Sequence, residues 1–232
     1  LGHATVLLAT PGGTRIVFDP WLDNPRAPGG VQLGELTAIA VTHGHFDHVG
    51  SVASLAAATG ARVICVPELA AYFASVGIAN VQEMNKGGTI AVGDVSLTMV
   101  TADHSCGVSV GEATPNVYGG NPVGFIVTLP SGQGGPVYVS GDTNVFGDMG
   151  LIAELYAPEI GFIPIDGYYN MGPREAAHAV GLLRLGRVVP YHYGTFPILA
   201  GRPEELVERL AGAGSGARAV VIEPGESVRI AP

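Results

Sequence analysis

The most constraining stretch of the sequence is Thr42-His43-Gly44-His45-Phe46-Asp47-His48, directly after the apolar run Leu36–Val41 (LTAIAV). Three imidazoles and a carboxylate fall within the six positions from His43 to His48. Such groups cost several kcal/mol each to bury unless they are paired or coordinated, so routine core packing does not produce this pattern. A continuous apolar run of this length reads as a buried strand, and the loop leaving such a strand is where a rigid scaffold presents functional side chains. Neutral imidazole together with carboxylate suits Zn(II), Mn(II) or Fe(II). The motif is therefore expected to present metal ligands from a loop at the end of a buried strand.

The rest of the sequence supplies strands in quantity. Ala4–Ala9 and Thr14–Asp19 are β-branched and apolar, joined by Pro11-Gly12-Gly13, which is hairpin punctuation. Ser51–Thr59 reads as a helix stopped by Gly60, Arg62–Val66 as a strand, and Pro67–Val76 as a helix that starts on proline and stops at Gly77. Val95–Val100, Val123–Leu129 and Pro136–Ser140 read as further strands. After them come a helix over Met149–Tyr156, a strand over Ile160–Ile165, a helix over Pro173–Leu185, a strand over Arg187–Pro190, a helix over Pro203–Ala211, and closing strands over Ala219–Ile222 and Ser227–Ile230. Strands that first pair as hairpins and later alternate with helices predict an α/β fold of two sheets covered by helices. Hydrophobic residues make up 47% and charged residues 13%, about half the usual charged share, which excludes disorder and calls for a large core. With 232 residues and no repeat, linker or break in composition, a single domain over 1–232 is expected.

His43-x-His45-x-Asp47-His48 after an apolar strand resembles the signature of the metallo-β-lactamase-fold hydrolases. That resemblance asks for a distant His, then an Asp, then a final His, each closing a later strand, and His104, Asp142 and His192 stand in those places. It implies a four-layer αββα sandwich with the cleft along one edge of both sheets. It also implies one metal on His43, His45 and His104, a second on Asp47, His48 and His192, and Asp142 bridging both. Leu1-Gly2-His3-Ala4-Thr5, Asp19-Pro20-Trp21, Gly141-Asp142-Thr143, Met171-Gly172-Pro173 and His192-Tyr193-Gly194-Thr195-Phe196-Pro197 are similar to the small bacterial L-ascorbate-6-phosphate lactonase-like group. The bridging position of Asp142 points away from penicillin hydrolysis, because the true zinc β-lactamases use a different ligand set there.

Two divalent ions, Zn(II) or Mn(II) with Fe also admitted by the ligand types, about 3.5–4 Å apart would share a water and lower its pKa toward about 7. The expected reaction is attack of a metal-bridging hydroxide on an ester, lactone or phosphodiester of a small molecule. Asp47 is the candidate proton shuttle and Tyr193 a candidate oxyanion donor. An iron-binding redox protein of the same fold, acting on oxygen or sulfur species, is the alternative. Other positions stay open: His3 either supports the metal site or is structural, and Asp19 either bonds a metal-binding imidazole or caps a turn. Cys106 reads as a packed thiol rather than a ligand, and His178 as a plain helix residue. Tyr168, Tyr169, Asn170, Tyr193, Thr195 and Phe196 are candidate pocket walls.

Twenty acidic against eleven basic residues give a net charge of −9; with no Lys/Arg cluster, nucleic-acid partners are not expected. No apolar run approaches the ~20 residues of a membrane helix, so no membrane partner is expected either. Cys65 and Cys106 make no disulfide framework, and nothing before the first strand reads as a signal peptide, so a reducing, cytoplasmic location is expected. The opening without methionine implies native residues before Leu1. A homo-oligomer is compatible with the sequence.

Overall fold

The computed structural model describes residues 1–109 and 116–230. The chain opens with the hairpin β1 (Val6–Ala9) and β2 (Arg15–Phe18), paired antiparallel with Val6 opposite Phe18. Next come β3 (Ala38–Ala40), the four-residue helix α1 (Phe46–Val49), α2 (Val52–Thr59), β4 (Arg62–Cys65), α3 (Pro67–Ser75) and β5 (Val81–Glu83). These strands form one sheet in the order β1-β2-β3-β4-β5, parallel from β2 onward.

The remaining elements are β6 (Thr89–Val92), β7 (Val95–Thr101), the small ladder of β8 (Gly107–Val108) and β9 (Val117–Tyr118), β10 (Val123–Thr128), β11 (Val137–Val139), α4 (Met149–Tyr156), β12 (Ile160–Pro164), α5 (Pro173–Leu182), β13 (Arg187–Tyr191), α6 (Pro203–Gly212) and β14 (Arg218–Ala219). The second sheet runs β14-β13-β12-β11-β10-β7-β6, antiparallel from β6 to β11 and parallel from β11 to β14.

Alternation along the second sheet builds two cores. Val123, Phe125 and Val127 of β10 and Val137 and Val139 of β11 face the first sheet, where they join Ile16, Phe18, Ile39 and Ile64. Phe18 meets Phe125 across the gap with ring centroids 5.9 Å apart. Ile126 and Tyr138, one step out of phase, face the opposite way onto α4, α5 and α6, as a period of two requires. Val52 and Ala56 of α2 and Leu69, Ala70 and Phe73 of α3 join the core of the first sheet. Each fully buried large aliphatic or aromatic side chain contributes about 1.5–3 kcal/mol, so this doubly covered second sheet is the stable frame. The result is the α/β sandwich of two sheets with helices that the sequence predicts.

Four features depart from the sequence expectation, the first being that the strand expected over Ala219–Ile222 shrinks to β14, Arg218–Ala219. The Asp47-His48 part of the motif lies on α1 and not on an open loop. Strands β5, β6, β8 and β9 were not anticipated, and Ser227–Ile230 is not a strand. Its carbonyls explain the last point: Arg187 donates to Arg229 O at 2.7 Å and to Ile230 O at 2.6 Å, a guanidinium taking the place of a strand ladder. Among the described residues no helix is long and apolar enough to cross a membrane.

What this frame does for function is set by direction. β2 and β3 run in parallel, and β7, β11, β12 and β13 share one direction in the second sheet. The chain therefore leaves all six strands at one edge. Asp19, His43, His104, Asp142, Asp166 and His192 each follow within three residues of one of these strand ends.

Candidate metal centre

Around His43 the ligand atoms of His43, His45 and His104 lie within 4.8 Å of one another. His43 Nε2 stands 2.9 Å from His45 Nδ1. The orientation of His43 follows from its neighbours. Thr42 Oγ1 donates to Asp19 Oδ2 at 2.6 Å, which leaves its lone pairs to accept from His43 Nδ1 at 3.0 Å. His43 Nε2 is then a lone pair aimed into the cleft. Burial drives His43 well below the ordinary imidazole value, with His48 adding to the effect. Burial also lowers His45, with His104 adding to it, and burial lowers His104 against the pull of Asp142. These are three neutral imidazoles, the form that binds metal.

The second group gathers Asp47, His48 and His192, together with His3, again with ligand atoms within 4.8 Å of one another. His48 Nδ1 bonds Asp19 Oδ2 at 2.8 Å, which turns Nε2 toward the cleft. His192 Nδ1 lies 3.0 Å from Asp166 Oδ2, an ion-pair contact off the direction of a straight hydrogen bond. Burial works against charge on His48, but Asp142 and Asp19 overcome it and lift the imidazole to about 10. The same contest, led by Asp142, raises His192. Asp142 is buried, yet His192 and His48 hold it well below the usual carboxylate range. Asp47 is held down in the same sense, mainly by His192 and His3 against burial.

Asp142 stands between the groups. Its Oδ1 is 3.3 Å from His48 Nε2, and its Oδ2 is 3.2 Å from His192 Nε2 and 3.7 Å from His104 Nε2. The residues fit a metal on one observation: His48 Nε2, His192 Nε2 and Asp142 Oδ1 are buried and have no hydrogen-bond partner. An unpartnered buried polar atom costs about 1–3 kcal/mol, and three at one point ask for a common partner. Once the protons that the carboxylates favour on these two imidazoles are displaced, a cation would satisfy both Nε2 lone pairs and the carboxylate together.

All seven side chains expected as ligands, His43, His45, Asp47, His48, His104, Asp142 and His192, thus come to one edge. Asp19 is beside them on His48 and Thr42. Cys106 is a packed thiol, accepting from Gly44 N at 3.3 Å and donating to Gly119 O at 3.0 Å. His178 is exposed on α5. Tyr193 packs its ring under Arg26, with the guanidinium carbon 5.5 Å from the ring centroid, and no hydrogen bond ties it to the seven. The geometry gives its expected oxyanion role no support. Of the expected walls, Thr195 is buried against His3 and Phe196 stacks on Trp21 at 6.0 Å, while Tyr168 and Tyr169 are about 60% exposed.

Asp166 was missed by the sequence reading. One of its oxygens accepts from the backbone N–H groups of Tyr168, Tyr169 and Asn170, and the other from Asn170 Nδ2 while facing His192. The available signal was its place just after the strand Ile160–Ile165, the same kind of place that marks Asp142. Glycines fix the approach. Gly141 has φ +63°, and a Cβ there would come 2.6 Å from Thr42 Cβ, so the backbone under Asp142 admits only glycine.

Comparison with known proteins shows the family. A family described as Beta-lactamase superfamily domain matches residues 14–193. The chain belongs to the β-lactamase superfamily. Within the superfamily it is similar to a UPF0173 metal-dependent hydrolase of Rubrobacter xylanophilus, 46% identical over 98% of this chain and 94% of that one. A relative of the same name from Solibacter usitatus is 44% identical over 99% and 97%. Among solved structures, a metallo hydrolase of the hyperthermophilic archaeon Ignicoccus hospitalis superposes with a TM-score of 0.85 at 30% identity, covering 98% of this chain and 94% of that one. The chain is thus a member of the superfamily's metal-dependent hydrolases.

Proposed function

We propose that the protein hydrolyses an ester, lactone or phosphodiester of a small molecule at a centre of two divalent cations, Zn(II) or Mn(II). The observation that carries this reading is the set of buried, unpartnered atoms His48 Nε2, His192 Nε2 and Asp142 Oδ1 facing one another. In the proposed arrangement His43, His45 and His104 hold one cation, Asp47, His48 and His192 hold the other, and Asp142 reaches both. When bound, such a pair supplies Lewis acidity and brings the pKa of a water toward about 7.

The chain's own contribution is placement and charge. Asp142 offsets the repulsion between two cations. Asp19, Thr42 and Asp166 fix the ring orientations that point lone pairs inward. Asp47 keeps 15% of its side chain accessible, which suits it to pass a proton to the leaving oxygen. Loops 42–50, 102–109, 140–148 and 191–197 contain no lysine or arginine. The guanidinium of Arg26, packed over Tyr193, is a cationic side chain beside them.

Elemental analysis under metal-replete conditions, joined to a panel of lactones, carboxylic esters and phosphodiesters, tests the proposal. Two equivalents and turnover on the panel are expected. No more than one equivalent defeats the dinuclear reading. Oxygen uptake by an iron-loaded protein that hydrolyses nothing on the panel defeats hydrolysis itself.

A further inference from the structure

His3 precedes the first strand, 44 positions before Asp47, yet its side chain is fully buried beside that carboxylate. Both ring nitrogens are engaged: Nε2 is 2.8 Å from Asp47 Oδ2 and Nδ1 is 2.9 Å from Thr195 Oγ1. Two further contacts tie it to His192. The rings lie 3.9 Å apart between centroids, and His192 N donates to His3 O at 3.1 Å. The backbone is strained to allow this. Among the described residues five non-glycine positions have positive φ, and three of them, His3 at 51°, Asp19 at 46° and His192 at 62°, are in the cleft. A left-handed conformation in a residue with a Cβ costs about 1–3 kcal/mol and persists where the surroundings impose it.

We propose that Thr195, His3 and Asp47 form a hydrogen-bonded chain in which His3 is a positioning residue for the carboxylate of the second cation group. Thr195 Oγ1–H donates to His3 Nδ1, and this fixes the tautomer whose Nε2–H donates to Asp47 Oδ2. The logic mirrors that of the neighbouring imidazoles. His48 donates through Nδ1 to Asp19 and His192 turns Nδ1 toward Asp166, so both are oriented by carboxylates, whereas Asp47 accepts and needs a donor. Among the described residues Asp47 accepts no other hydrogen bond; its distances to His192 Nε2 and His48 Nε2 are 3.6 and 3.9 Å. The single Nε2–H holds one oxygen of Asp47 and leaves the other free. His3 therefore supports the second group without binding the cation, and its loss leaves Asp47 free to rotate away.

The inference rests on the two-cation reading above, and its test is built to separate the two. The cobalt-loaded protein is titrated with a competing chelator while the visible absorption of bound cobalt is followed. In His3→Ala the more weakly held equivalent should leave 10–100-fold more readily, the usual effect of losing a group that orients a ligand, while the other stays within threefold of wild type. His3→Gln, whose amide N–H falls near the place of Nε2–H, should recover most of the loss with an unaltered cobalt spectrum. Thr195→Val should fall between wild type and His3→Ala. Wild-type retention in His3→Ala overturns the proposal. So does a His3→Gln variant no better than alanine with a changed spectrum, since that result makes His3 a ligand. If His3→Ala does not fold, judged by circular dichroism, wild-type behaviour of Thr195→Val overturns it instead. A wild-type protein that holds one equivalent defeats the dinuclear reading, and the alanine-to-glutamine comparison on that equivalent still decides His3.

Discussion

The two ligand groups of the cleft are built by different means. His48, His192 and Asp47 each have a dedicated side-chain partner, Asp19, Asp166 and His3 respectively, and both histidines are buried. The first group has little of this. His43 leans on the Thr42 hydroxyl, His45 Nε2 has only Ser105 Oγ at 3.4 Å, and His45 and His104 are partly exposed. Its imidazoles are neutral because burial and neighbouring histidines discourage protons, whereas those of the second group stand among carboxylates that attract positive charge. One group is placed by the backbone and the other by paired side chains. The lesson is that one short sequence signature can contribute side chains to two groups that are supported in different ways.

The largest expected effect is at the residue the groups share. Asp142→Ala removes the carboxylate that faces His48, His192 and His104, along with the charge that offsets cation repulsion. Metal content should fall to one equivalent or less, and turnover on whichever panel substrate is found should drop at least 10²–10³-fold, the cost of one lost oxyanion contact. Asp103→Ala is the control, because Asp103 is exposed beside His104 and its carboxylate makes only a 3.5 Å contact with Asn144. Two retained equivalents and near-normal turnover in Asp142→Ala would dissolve the idea of a shared residue.

The contrast between the groups is sharpened by Asp166→Ala set against Ser105→Ala. Asp166 orients His192 and holds the backbone of Tyr168, Tyr169 and Asn170. Its loss should weaken metal retention or turnover 10–100-fold. Ser105 touches His45 at a length that is scarcely a hydrogen bond, and its loss should change either quantity less than threefold. Equal effects, measured by metal analysis and steady-state rates, would break the comparison.

How much of this was legible in the sequence follows the same division. Every side chain that stands at a strand end in a marked motif was readable, because the apolar strands of both sheets announce their ends. Asp166 was overlooked although it too ends a strand, since Ile165-Asp166-Gly167 carries no histidine to draw attention. His3 and Asp19 could be named but not assigned, because their partners lie 44 and 29 positions away in sequence. Strands β5 and β6 escaped because they are partly exposed edge segments with weak alternation. The opposite error at Ser227–Ile230 arose because alternation was present but Arg187 had claimed the carbonyls.

Gly44→Ala probes the group placed by backbone. A Cβ on Gly44 would come 2.5 Å from Val108 Cγ2 and 3.1 Å from Leu69 Cδ2, so the segment between His43 and His45 has to move. Overpacking of this kind costs about 1–3 kcal/mol, and each kcal/mol lowers Tm by about 2–4 °C in a chain of this size. In the proposed two-cation arrangement, the cation on His43, His45 and His104 should loosen more than the one on Asp47, His48 and His192. Selective loss of the second cation instead, seen by chelator titration, would reverse the assignment of support.

The smallest expected effect is at Cys106, and it separates packing from ligation in the same loop. Its thiol accepts from Gly44 N and donates to Gly119 O, tying the His43–His45 turn to the strand β9 side of the cleft. Burial raises the thiol's pKa above its ordinary value, and the neutral thiol is not the form that binds metal. Cys106→Ala leaves two backbone groups without their sulfur partner. Sulfur hydrogen bonds are weak, so the loss should lie near the low end of the range for an unsatisfied buried group, about 1 kcal/mol, a Tm change of about 2–4 °C. Both cations should be retained and turnover should stay within threefold. Loss of an equivalent of metal from a variant that still melts cooperatively would place the sulfur among the ligands, and the first group would then have a side-chain anchor after all.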